Sequence, residues 1–323
     1  MKIIKYFIIL LLITVSINET QAQQDTRYSQ YMFNGLRLNP AYAGAKDGLS
    51  LNAFYRNQWV RIDDAPKSIV LSAHDRFGKK GRDKKDGLGV FLEYDQAGVD
   101  SRTSVYGSYS YRFKAGERGY LSAGIQGGFV FHQAILTDVI TPEEVYDEAF
   151  SQNESYMLPN FGAGLYYYND KSYVGFSIPH LIGYQRFNQD SQASRLRGAY
   201  REYLVTAGTS YKLNENITLK PSLLIKYIPA QPPVEFDINA SMLIKEAVWL
   251  GITLRSNEVI KPESVNFQIA YQGPKGMRIG YAYDHMLKSI GYYTSGSHEV
   301  MIGFDFPSKE PLKVRSKAPN GWN

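Results

Sequence analysis

From residue 50 onward, apolar and polar side chains alternate with a period of two, the spacing of strands that bury one face and solvate the other. Val105, Gly107, Tyr109, Tyr111 and Phe113 fall on one face, with Ser104, Ser108, Ser110 and Arg112 on the other. Leu121, Ala123, Ile125, Phe129 and Phe131 then alternate with Ser122, Gly124, Gln126 and Gly128. Further along, Val248, Leu250, Ile252 and Leu254 oppose Gly251, Thr253 and Arg255, while Val265, Phe267, Ile269 and Tyr271 oppose Asn266 and Gln268. The final run sets Val300, Ile302, Phe304 and Phe306 against Asp305. The pattern predicts about fourteen strands, at 50–60, 68–76, 87–96, 102–114, 119–135, 158–169, 172–181, 200–213, 217–229, 234–245, 247–257, 264–272, 277–286 and 293–306. Most approach the roughly 9–11 residues with which a tilted strand crosses a bilayer.

The connections sort by parity. Ala115-Gly116-Glu117-Arg118, Asn169-Asp170-Lys171, Asn214-Glu215-Asn216, Lys245-Glu246 and Gly273-Pro274-Lys275-Gly276 are tight and rich in turn formers. The intervening connections include the long ones, 136–157 and 182–199. Short periplasmic turns opposite longer extracellular loops, with an even strand number, are the signature of an outer-membrane barrel with both termini in the periplasm. A soluble β-sandwich also alternates, but it seldom needs so many strands of membrane-crossing length. The expected fold is therefore all-β, a transmembrane antiparallel β-barrel of residues 49–306. One connection breaks the parity. Phe77 to Asp86 is long and carries Lys79, Lys80, Arg82, Lys84 and Lys85, a candidate periplasmic docking patch or simply a solvated charge run.

Ahead of the barrel, Lys2 and Lys5 precede an apolar run from Tyr6 to Ile17, and small residues follow at Thr20 and Ala22. This is a secretory signal over 1–22, with cleavage expected after Ala22; the run is too short for a spanning helix. After it no apolar run reaches helix-spanning length. The mean hydropathy of −0.33 fits a barrel as well as a soluble protein, because lumen-facing residues lower the average. The 26 tyrosines and 28 glycines tip the balance toward a barrel with aromatic girdles. The absence of cysteine excludes a lipid-modified N-terminus and any disulfide framework. A formal net charge of +5, one unit less without the signal, is too mild and scattered to argue for nucleic acid. The tail, 307–323, carries Lys309, Lys313, Arg315 and Lys317 against Glu310 and reads as solvated and periplasmic.

Candidate chemistry is sparse. His74-Asp75 reads as a polar pair facing the lumen, and His132, His180, His285 and His298 are too scattered to assemble a hydrolytic site. Glu143, Glu144, Asp147 and Glu148 cluster in the 136–157 loop without the alternating ligand spacing of a calcium loop. Tyr166-Tyr167-Tyr168 and Tyr281-Tyr283 read as interfacial belt aromatics. No metal cluster, phosphate loop or catalytic motif stands out, so no cofactor and no enzymatic activity are expected.

Residues 23–48 do not alternate. Tyr28, Tyr31, Met32, Phe33, Leu36 and Leu38 are too apolar to hang free in water, and Tyr28, Tyr31, Met32 and Gly35 have helical spacing before the Asn39-Pro40 turn signal. Such a segment packs inside or beneath the barrel as a plug, or against another protein. Here the chain resembles a known family. Tyr28-Ser29-Gln30-Tyr31-Met32-Phe33-Asn34, then Leu38-Asn39-Pro40-Ala41-Tyr42-Ala43-Gly44, then Tyr55-Arg56-Asn57-Gln58-Trp59 with Ala65-Pro66 are similar to the opening signature of the PorP/SprF family. Gly35 departs from it, standing where the family pattern has proline. The resemblance implies a non-enzymatic outer-membrane component of the type IX secretion system of Bacteroidetes. Its implied partners are outer-membrane lipid, the secretion machinery with its periplasmic peptidoglycan-linked components, and a secreted surface-protein client such as a gliding adhesin. It makes Tyr28 to Asn34, Asn39 to Tyr42, Gly44, Arg56, Gln58 and Trp59 candidate partner contacts. The competing expectation is a porin-like channel for small solutes, which requires a continuous polar lumen.

Overall fold

The computed structural model describes residues 26–46, 48–78, 85–138, 152–182, 185–186, 196–197, 201–229, 234–257 and 262–307. The alternating segments form fourteen strands: β1 (Gly48–Asn57), β2 (Lys67–Phe77), β3 (Asp86–Ala97), β4 (Asp100–Ala115), β5 (Gly119–Ala134), β6 (Glu154–Tyr168), β7 (Ser172–Ile178), β8 (Tyr203–Thr209 with Tyr211–Lys212), β9 (Ile217–Tyr227), β10 (Glu235–Ile244), β11 (Val248–Ser256), β12 (Pro262–Gln272), β13 (Met277–Met286) and β14 (Ser297–Pro307). Each pairs antiparallel with its neighbours in sequence, and β14 closes onto β1 with Gly48 opposite Pro307 and Asn57 opposite His298. The last two residues of β8 continue its pairing with β9 past a break at Ser210. A two-residue ladder, Gln185–Arg186 with Leu196–Arg197, lies in the β7–β8 connection. Among the described residues no helix is long and apolar enough to cross a membrane; the crossing is made by strands.

The alternation sorts as expected. Val105, Tyr109 and Phe113 point outward, as do Ile125, Phe129, Phe131, Leu250, Ile252, Leu254, Phe267, Ile269, Val300 and Ile302. Their polar alternates Ser104, Ser108, Ser110, Arg112, Ser122, Gln126, Thr253 and Asn266 are buried on the inner face. So continuous an apolar exterior suits hydrocarbon and not water.

Two strand ends move for conformational reasons. β1 stops at Asn57, short of the expected residue 60, because Trp59 and Arg61 take positive φ (51° and 83°). β14 starts at Ser297, later than expected, because Ser289–Tyr292 form a 3₁₀ turn and Gly296 takes φ 88°. Two aromatic assignments are corrected by the same period of two: Tyr166 and Tyr168 face the lumen, and only Tyr167 between them faces out. The His74-Asp75 pair likewise dissolves. His74 is buried inside while Asp75 is exposed, because consecutive strand residues point to opposite faces.

The short turns share one rim. Lys245 and Glu246 both take positive φ (49° and 54°) at the centre of a tight turn closed by Ala247 N–H to the Ile244 carbonyl (3.0 Å), the hand that matches strand twist. The signal, Lys79, Lys80, Arg82, Lys84, the acidic residues Glu143 to Glu148 and the tail beyond 307 lie outside the described residues. Lys85 is exposed, its ammonium 5.9 Å from the centre of the Tyr111 ring.

β1 begins and β14 ends at the short-turn rim. The chain ahead of β1 does not hang from that rim but occupies the lumen. It is not one helix: a 3₁₀ turn (Tyr31–Phe33), a helical turn (Gly35–Leu38) and a second 3₁₀ turn (Pro40–Tyr42) follow one another. The cap positions Asn34 and Asn39 lie outside helical φ/ψ, and Pro40 has no N–H to continue a helix.

The lipid-facing role of the outer side chains gives a direct test. Ile125→Arg, near the middle of β5, is expected to destabilise the barrel in lipid vesicles by about 2–4 kcal/mol in urea titrations. Glu117→Arg, in the adjoining short turn, should stay within about 0.5 kcal/mol of wild type.

Candidate functional site

The lumen-filling segment runs from one rim to the other. At the long-loop end, Thr26 Oγ1 donates to Asp95 (2.8 Å), near the last residue of β3. Arg27 pairs with Asp237, with Glu263 at 3.3 Å and with Glu235 at 3.5 Å, all near the long-loop ends of β10 and β12. The backbone N–H groups of Ser29 and Gln30 donate to the Glu299 carboxylate at 2.7 and 2.9 Å, and the Ser29 hydroxyl donates to Asp284 at 2.8 Å. Arg56, projecting inward from β1, donates to Ser29 Oγ (2.7 Å), to Glu299 (3.3 Å) and to Asp284. Arg255 bridges Asp237 (3.1 Å) and Asp284 (3.5 Å) and donates to the carbonyls of Arg27 and Tyr28. A register shift between Arg255 and Ser256 leaves both side chains buried, so the strand carries two inward residues in succession there.

In mid-lumen, Glu93 accepts from Arg37 Nε (2.8 Å) and from the Tyr28 hydroxyl (3.2 Å), and the Arg37 guanidinium lies 5.5 Å from the Tyr28 ring centre. Phe33 meets Trp249 edge-on at 5.2 Å. Asn39 uses both ends of its amide. Oδ1 accepts from Ala41 N–H (2.9 Å), capping the Pro40–Tyr42 turn, while Nδ2 donates to the carbonyls of Leu165 (2.9 Å) and Phe176 (3.3 Å) on the wall. Tyr42 packs edge-on against Tyr166 (5.4 Å) and His74 (5.3 Å).

At the short-turn end, the Ala43 carbonyl accepts from Ser110 (2.6 Å), Gly44 N–H donates to His74 Nδ1 (3.3 Å), and Arg76 donates to the carbonyls of Gly44 (2.7 Å) and Ala45 (3.0 Å). Lys46 pairs with Asp305 at 3.0 Å, and Asp305 also pairs with Arg278.

The wall is shaped to this segment. A β-carbon on Gly124 would overlap the backbone of Ala41, and one on Gly164 would overlap the Asn39 amide. Gly35, which departs from the family pattern, lies against the Tyr42 ring, where a β-carbon would sit 2.8 Å from the ring atoms.

The structure thus gathers most of the motif positions into one place. Tyr28 to Asn34, Asn39 to Tyr42 and Gly44 are buried within the barrel, and Arg56 reaches them from the wall. Gln58 and Trp59 stand apart on the long-loop rim, where Gln58 N–H donates to the Pro66 carbonyl and Trp59 N–H to Ser297 Oγ. The wall carboxylates Glu93, Asp237, Asp284 and Glu299 did not emerge from the sequence as a group. Their only signal was a charge on the polar face of an alternating strand. Among the described residues no three His, Cys, Asp or Glu side chains converge as a metal site. The arrangement holds a segment in place.

Glu299→Ala removes the acceptor shared by two backbone amides and Arg56, leaving buried donors unpaired. Breaking such a pair costs roughly 3–5 kcal/mol. Hydrogen exchange at the Ser29 and Gln30 amides should accelerate on the order of 10²-fold or more, with the wall-strand amides unchanged; exchange at the wild-type rate would refute this role for Glu299.

The chain is similar in architecture to solved channels and porins. It overlays the TodX deltaS2S3 mutant monoaromatic hydrocarbon channel with a TM-score of 0.45 at 11% identity, covering 84% of this chain and 92% of that one. The CymD monoaromatic hydrocarbon channel gives 0.44 at 11%, covering 86% and 94%, and the KdgM porin 0.38 at 13%, covering 80% and 99%. No curated protein sequence matches. The sequence profile of the family described as type IX secretion system membrane protein PorP/SprF matches residues 20–304, the barrel together with its lumen segment. The chain belongs to the PorP/SprF family of type IX secretion system membrane proteins.

Proposed function

We propose that this protein is a non-catalytic outer-membrane component of type IX secretion that helps deliver or anchor secreted proteins at the cell surface through protein–protein contacts. In this reading the signal is cleaved after Ala22, and the barrel is a platform whose lumen is kept shut. The observation that carries it is the occupation of the lumen from rim to rim by residues 26–46, tied by half-buried charge pairs at both ends. A passive solute channel has no use for such a seal, since a polar path must stay open for flux. Partner contacts then fall to the rims: Gln58 and Trp59 on the long-loop side, and the basic 79–85 connection, with periplasmic machinery as its partner, on the other.

Purification of the tagged protein from native outer membranes is expected to recover a secretion component or a surface client; recovery of neither would sink the proposal. In planar bilayers the wild-type barrel should show no steady conductance, while deletion of residues 26–46, or the milder Arg56→Ala/Glu299→Ala pair, should open one. A large steady wild-type conductance would instead favour the solute channel.

A further inference from the structure

The direction in which the lumen segment is threaded reverses where the N-terminus is expected. Thr26 bonds Asp95 and Ser68, two residues at the long-loop ends of β3 and β2, and Arg27 bonds the long-loop ends of β10 and β12. Lys46 bonds Asp305 and Ser50 at the short-turn ends of β14 and β1. The chain therefore descends the lumen from the long-loop mouth, reaches the short-turn rim and climbs back as β1. With cleavage after Ala22, only residues 23–25 precede Thr26, and three residues span at most roughly 11 Å. A tilted strand the length of β1 rises on the order of 25 Å, so these residues cannot return to the short-turn rim.

We infer that the N-terminal end of the mature chain opens at the mouth that carries the long loops, beside Asp95, Glu235 and Glu263, and not at the periplasmic rim. The inference rests on the secretory cleavage proposed above, and it puts any partner of this end of the chain on the outer surface, not in the periplasm. The same mouth is built to present contacts. Trp59, Arg61 and Asp64 all hold positive φ in the β1–β2 loop (51°, 83° and 56°). That loop is pinned by Val60 N–H to the Gly296 carbonyl (2.9 Å), Ser295 N–H to the Val60 carbonyl (2.8 Å) and Gly98 N–H to the Asp64 carbonyl (2.9 Å). Non-glycine residues keep such conformations only where neighbours over-determine them. Alongside, Tyr292 and Tyr293 stand 91% and 77% exposed.

The chain has no cysteine, so single-cysteine labelling has no background. Gln24→Cys, Tyr292→Cys on the long-loop mouth and Lys171→Cys on the short-turn rim are treated, in intact cells and in permeabilised cells, with a membrane-impermeant maleimide. Gln24→Cys is expected to label in intact cells at a rate close to Tyr292→Cys and at least tenfold faster than Lys171→Cys. Labelling that follows Lys171→Cys, or that fails even in the detergent-purified protein, overturns the inference. If Tyr292→Cys and Lys171→Cys exchange behaviour while Gln24→Cys still follows Tyr292→Cys, the long-loop mouth is periplasmic and the inference is overturned, through the orientation of the barrel and not the threading. N-terminal sequencing of the purified protein separates failure of the threading from failure of the cleavage: a retained signal removes the premise.

Discussion

Backbone hydrogen bonding in hydrocarbon sets everything else in this molecule. An unpaired N–H or C=O at membrane depth costs several kcal/mol, so a sheet that crosses a bilayer has to close on itself. Here the ladder from β1 through β14 closes with ten residue pairs between the first and last strands. Once closed, the alternation of strand residues has only one consistent assignment: the Leu, Ile, Val and Phe alternates meet lipid, and the Ser, Asn, Gln, Arg and carboxylate alternates are turned inward. The lumen is thus polar because the exterior must be apolar.

That polar lumen creates a second problem. Glu93, Asp237, Asp284 and Glu299 are almost fully buried, and a buried carboxylate is tolerable only with partners. Wall residues supply part of the answer in Arg56 and Arg255. The rest comes from the N-terminal segment, through Arg27, Arg37 and the amides of Ser29 and Gln30. The segment and the wall depend on one another: without the segment, Glu93 loses Arg37, Asp237 loses Arg27 and Glu299 loses two backbone donors, leaving Arg56 and Arg255 as the wall counter-charges of Glu299 and Asp237.

Buried ion pairs of this type add little net stability, because desolvation offsets their attraction. The apolar filling by Tyr31, Met32, Phe33, Leu36 and Tyr42 supplies the burial, while the charge pairs and the Asn39 amide fix its position along the lumen axis. Glycines at 124 and 164 let the segment backbone approach the wall closely, which binds this part of the fold to one geometry.

The sequence by itself determined the barrel, its strand number and the existence of an apolar segment that needed cover, because alternation, turn chemistry and signal composition are local properties of the chain. It determined most strand ends to within a few residues, and it missed β1 and β14 where unusual φ angles at Trp59, Arg61 and Gly296 cut strands short. The tertiary structure alone decided which charges meet, since Arg56 and Asp284 are 228 residues apart and nothing local couples them. It also decided that Tyr166 and Tyr168 line the lumen and that Asp75 parts from His74, both consequences of register. The direction of the N-terminal segment belongs to the same class: composition shows that residues 26–46 must be buried, but only the contacts of Arg27 with Asp237 at one end and of Lys46 with Asp305 at the other show which way they run.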